Sequence, residues 1–123
     1  MESARVTMRT NRQKEVSIIN VLFVVNPAFP IGQLVATRGV YDLATENLDF
    51  AKFIQESLSR HIKADWGDVD DEDKQSNDLA LKQGTRLMSA YNDDRFPKNG
   101  ISTILIITEA DRSSTTVLFP DEY

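Results

Sequence analysis

The chain contains no cysteine. That excludes a disulfide framework, a thiolate metal site and a cysteine nucleophile, and it fits a reducing cytoplasm. Long apolar runs are missing too: the longest is Val21 to Val25, far short of the ~20 residues a spanning helix needs. Residues 1–30 place Arg5, Arg9, Arg12 and Lys14 ahead of an apolar stretch but lack the ordered regions of a signal peptide. No glycine-rich phosphate loop, no G-x-S-x-G elbow and no aromatic–basic interleaving occurs. The sequence therefore carries no cofactor motif, and no cofactor is expected.

What remains is ordinary globular material. The 123 residues are 41% apolar and 27% charged, enough for one domain with one core. The charge is unevenly spread. Residues 65–78 hold Asp65, Asp68, Asp70, Asp71, Glu72, Asp73 and Asp78 against Lys74, so this segment carries −6 of a chain total of −5 and leaves about +1 elsewhere. A negative chain is a poor nucleic-acid binder, because phosphate affinity comes from Lys and Arg. An acidic segment instead suits a basic protein surface or a solvated helix start.

Residues 1–16 are polar and aperiodic and read as a flexible tail, with residues 17–123 as a single α+β domain. Residues 16–25 read as a strand closed by Asn26-Pro27, and residues 29–37 as extended. Thr37 is placed to cap a short helix over 38–45. The clearest helix spans 49–62, capped by Asn47 or Asp49. Phe50, Phe53, Ile54, Ser57, Leu58 and His61 recur at i, i+3, i+4 on its inner face. A second helix spans 70–83, with acids in its first turn and Gly84 in the left-handed position after its end. Leu79, Ala80 and Gln83 are its expected inward side chains. Strands follow at 85–91, 101–108 and 115–119, separated by a polar loop at 92–100 and a turn at 109–113. Three sequential strands with short links predict an antiparallel meander of three to five strands, with two to three helices on one face. A bare edge strand on such a sheet would allow homodimerisation.

Three constellations bear on chemistry. Asp65-Trp66-Gly67-Asp68 holds the sole tryptophan, either a core anchor or a recognition hot spot. With Asp70, Asp71, Glu72 and Asp73 it forms the candidate binding surface. His61, the sole histidine, has Asp65 at i+4, but no metal-ligand spacing surrounds it. A calcium loop fails on register, since positions six and twelve lack the required Gly and Glu. No metal site is expected. Glu109, Asp111 and Arg112 lie in the densest polar stretch, as a paired-carboxylate site tuned by an arginine or as tight-turn residues.

In order along the chain, GQLVAT (32–37), RHIKADWGD (60–68), DEDKQSN (71–77), TEADRSSTT (108–116) and the final PDEY resemble a family of small uncharacterised "plasmid-related" proteins of bacterial plasmids and mobile elements. The resemblance covers residues 29–123. It implies a mobile-element setting and brings no catalytic residues with it. The leading expectation is a non-enzymatic binding protein that antagonises a host defence or nucleic-acid-processing complex through a protein surface. Two alternatives stand beside it. One is a metal-dependent hydrolase or nuclease using Asp65, Asp68, Glu109 and Asp111, and the other a DNA-associated accessory protein using the basic tail. Neither a membrane nor nucleic acid is the expected partner; a protein is.

Overall fold

A computed structural model describes the backbone of residues 2–10, 15–24, 27–96 and 102–123, and the side chains of 27–96 and 102–123. The elements are β1 (Glu2–Thr10), β2 (Glu15–Val24), β3 (Gln33–Ala36), α1 (Arg38–Glu46), α2 (Leu48–Ile62), α3 (Asp71–Gln83), β4 (Leu87–Asn92), β5 (Thr103–Thr108) and β6 (Ser114–Leu118). A 3-10 turn follows over Pro120–Glu122.

The fold is α+β, and the expected meander is present. β4 pairs antiparallel with β5, and β5 with β6. The sheet as a whole is mixed, which corrects a purely antiparallel reading. β3 joins β6 in parallel, Gln33 opposite Ser114 through Ala36 opposite Val117. The strand order is β2-β1-β3-β6-β5-β4, with β1 parallel to β3 and antiparallel to β2. β1 takes in most of the stretch that the sequence reads as a tail. Residues 97–101, the end of the expected polar loop and the start of the expected strand, lie outside the described residues, as do Val25 and Asn26.

One face of the sheet carries the core. Strand alternation puts Leu34, Ala36, Leu87, Tyr91, Ile104, Ile106 and Val117 on the side that meets the helices. The face of α2 anticipated from its spacing is buried throughout, Phe50 through His61. Phe50 stacks on Phe119 at 5.9 Å and meets Phe96 edge-on at 5.4 Å. A second cluster joins Phe29, Trp66, Ala80 and Leu87 beside α3.

The helix ends follow capping chemistry. The Thr37 hydroxyl caps Val40 in α1, Asn47 Oδ1 takes the Phe50 amide in α2, and Asp70 Oδ1 takes the Asp73 amide in α3. Gly84 closes α3 at φ 73°. The inward face of α3 differs from expectation. Leu79 is 54% exposed and Gln83 is exposed, while Asn77 and Ala80 are buried. The helix packs beside β4 through a polar contact, so apolar spacing alone does not report its orientation.

Candidate functional site

Residues 65–78, the acidic segment, lie along the outer edge of β4. In an antiparallel pair every second residue of the edge strand turns its N–H and C=O outward, and such groups must find partners. Here they find them in this segment. The Asn77 side-chain amide donates to Met88 O at 2.7 Å, and the Met88 N–H donates to Asn77 Oδ1 at 3.1 Å. Asp68 N–H donates to Ala90 O at 2.7 Å and Ala90 N–H to Trp66 O at 3.3 Å, around a parallel bridge between Gly67 and Ala90. Asn92 N–H donates to Asp68 Oδ2 at 2.9 Å. The β4 edge therefore carries no bare ladder at Met88, Ala90 or the Asn92 amide.

The same segment explains Asp65 and Trp66. Asp65 pairs with Arg60 through two contacts, at 2.8 and 3.2 Å, and its Oδ1 also accepts the Gly67 amide. The Arg60 hydrogen bond holds the Asp65 carboxyl below its ordinary range. Its carbonyl accepts the Tyr91 hydroxyl at 2.6 Å. Trp66 is buried, stacks on Phe29, and donates Nε1–H to Asp78 at 2.9 Å. It anchors the core rather than presenting a surface. Asp71, Glu72 and Asp73 are different: they are exposed and in no ion pair among the described residues.

His61 is fully buried at the end of α2, wedged edge-on against Phe29 and Trp66. Its Nδ1 lies 2.6 Å from Ser89 Oγ and its Nε2 lies 2.9 Å from Thr108 Oγ1. Thr108 Oγ1 lies 2.8 Å from Thr115 Oγ1, which donates to Ile31 O at 2.7 Å. Each hydroxyl has one proton, so the last bond sets the direction of the rest. Thr115 spends its proton on Ile31 and accepts from Thr108. Thr108 in turn accepts from His61 Nε2–H, and His61 Nδ1 accepts from Ser89. The histidine is thus the neutral Nε2–H tautomer. Burial, with the nearby Arg112 charge, lowers its pKa from 6.5 to about 3. The Ser89–His61 contact has the spacing of a nucleophile and its base, but all four side chains are sealed from solvent, and no substrate reaches them in this conformation.

Glu109, Asp111 and Arg112 form the β5–β6 turn. Arg112 sits at φ 60° and sends Nη1 to the carbonyls of Thr85, Glu109 and Ala110, at 2.7, 3.0 and 3.3 Å. Its guanidinium also lies 5.7 Å from the Phe29 ring centre. Asp111 accepts the Ser113 amide and side chain, which lowers its pKa. Glu109 faces Arg86 at 3.9 Å across an exposed pair. These carboxylates do not converge with Asp65 and Asp68. Asp68 is bound at Asn92, whereas Glu109 follows Thr108, which pairs with Leu87 at the other end of β4. Five residue steps of strand separate those ends, about 17 Å at ~3.3 Å per residue. Among the described residues no group of three or more His, Asp or Glu is placed to hold a metal ion. No helix among them is long and apolar enough to cross a membrane.

One cleft of about 240 Å³ opens between α3 and β4, lined by Val69, Asp73, Ser76, Asn77, Arg86, Met88 and Tyr123. The sequence gives no signal for it, because its walls come from three distant segments. Comparison with family models, with curated proteins and with solved structures finds no match to this chain.

Proposed function

We propose that the protein is a non-enzymatic binding module that meets a basic protein surface through the exposed first turn of α3. Asp71, Glu72 and Asp73 are the contact residues; Asp70 is shared with the helix cap, and Asp65, Trp66 and Asp68 support the surface from beneath. The observation that carries this reading is a division of labour. The chemistry-bearing side chains elsewhere (His61, Ser89, Thr108, Arg112 and Asp68) are engaged in internal hydrogen bonds. The three first-turn acids face solvent without an ion-pair partner among the described residues. Complementary charge speeds encounter and fixes register more than it adds raw affinity.

The resemblance to plasmid-related proteins sets the expected context. The partner would be a cytoplasmic host complex of defence or nucleic-acid processing, which the module modulates by occupying a protein surface. Affinity capture from a bacterial lysate, with and without nuclease and read by mass spectrometry, tests it. A stoichiometric protein partner that survives nuclease supports the reading. Partners that vanish with nuclease would move the function to nucleic acid and overturn it.

A further inference from the structure

The cleft between α3 and β4 lies against the acidic turn, and its shape says what can enter. Its volume, about 240 Å³, is below the ~300–1,000 Å³ of ordinary small-molecule sites. It has room for one large side chain. Val69, Met88 and the Tyr123 ring supply an apolar lining. Two of the polar groups around it are already engaged. Asn77 is spent on Met88, and Arg86 donates to the Tyr123 hydroxyl at 2.8 Å and lies 5.2 Å from that ring's centre. Arg86 also faces Glu109 at 3.9 Å.

Tyr123, one of the large hydrophobic side chains exposed among the described residues, lines the cleft. Asp73 stands in the wall itself, with Asp71 and Glu72 next to it on the helix. The surface is thus an apolar slot with an acidic rim, and interface hot spots have this arrangement of a buried anchor within a polar surround.

We propose that this cleft receives a single large apolar side chain of a protein partner, on a segment whose flanking residues are lysine or arginine. The apolar side chain sits between Val69, Met88 and Tyr123, and the flanking cations face Asp71, Glu72 and Asp73. The inference rests on the binding-module reading and adds the partner's chemistry. A second copy of this chain is disfavoured by charge, since each copy carries −5.

Two synthetic peptides test it on the intact protein: one leucine flanked on both sides by arginines, and the same peptide with glycine for leucine. Binding is read from backbone amide shifts. The leucine peptide is expected to move Ser76, Asn77, Met88 and Tyr123 and to bind at least tenfold tighter than the glycine peptide. Ser76→Trp, which fills the slot from an exposed helix position, and Tyr123→Ala each remove that preference. Equal binding of the two peptides, or a preference unchanged in both variants, overturns the inference but leaves the acidic surface standing. If neither peptide moves any amide of α3, the inference and the binding-module reading fall together.

Discussion

The side chain of Asn77 pairs with the backbone of Met88 as a neighbouring strand would, accepting its N–H and donating to its C=O. Asn77→Ala leaves both groups without partners at a part-buried position. Loss of about 1–3 kcal/mol is expected in denaturant unfolding. The variant also bares part of the β4 edge, so sedimentation is expected to show more concentration-dependent association than in the wild type.

Gly67 and Gly84 both sit at positive φ, 76° and 73°, yet they predict different outcomes. A Cβ on Gly67 would lie 2.1 Å from Ala90 O and 2.6 Å from Tyr91 Cδ1, while a Cβ on Gly84 meets nothing within 4 Å. Gly84→Ala costs only its backbone conformation, about 1–2 kcal/mol. Gly67→Ala must also push the edge cover away from β4. It is expected to cost clearly more and to lower protection of the Ala90 and Asn92 amides in hydrogen exchange.

His61 makes stability depend on pH. Its folded pKa, about 3, lies below the 6.5 of an unhindered histidine. Between those values the unfolded chain binds the additional proton. The contribution is complete above pH 6.5 and falls as the pH drops, by about 1.4 kcal/mol per unit within the window. The charge that acts on it does not rescue the imidazolium, because Arg112 is of the same sign and opposes it. His61→Phe removes this slope. It also lowers stability at neutral pH by about 1–3 kcal/mol, because the Ser89 and Thr108 hydroxyls lose a partner. The difference between the two unfolding curves from pH 3 to 8 measures the effect, and ring nitrogen shifts should report the Nε2–H tautomer.

Arg112 is expected to act through geometry more than charge. Its guanidinium reaches three carbonyls from one turn. Arg112→Lys keeps the charge but loses the planar guanidinium that carries Nη1 to these carbonyls and lies against Phe29. It should lose about 1–2 kcal/mol, on the scale of one or two hydrogen bonds, measurable by thermal unfolding at neutral pH.

Much of this fold is legible locally. Period and capping residues locate α2 and α3, and the buried face of α2 follows its spacing from Phe50 to His61. Thr37, Asn47, Asp70 and Gly84 mark helix ends by their own side chains or backbone freedom. Long-range relationships are not legible in this way. The parallel pairing of β3 with β6 joins segments some 80 residues apart, and no local pattern encodes it. His61 reads as a helix-end histidine until Ser89 and Thr108 are brought to its two nitrogens. Asn77 is not among the inward side chains that the spacing of α3 suggests, and only its pairing with Met88 shows its part. Within 65–78 the sequence shows the charge but not the division between residues that cover the edge and residues that face out.

That division is the central claim, and one paired measurement tests it most directly. Asp71→Asn, Glu72→Gln and Asp73→Asn together remove three exposed charges and leave the Asp70 cap, Asp68 and Asn77 in place. The triple variant should lose about 1–3 kcal/mol of helix-dipole stabilisation at most and keep its fold, shown by an unchanged amide spectrum beyond the first turn of α3. Retention of the nuclease-resistant partner is then compared with wild type. The account predicts that retention is lost while the fold persists; retention at the wild-type level would contradict it.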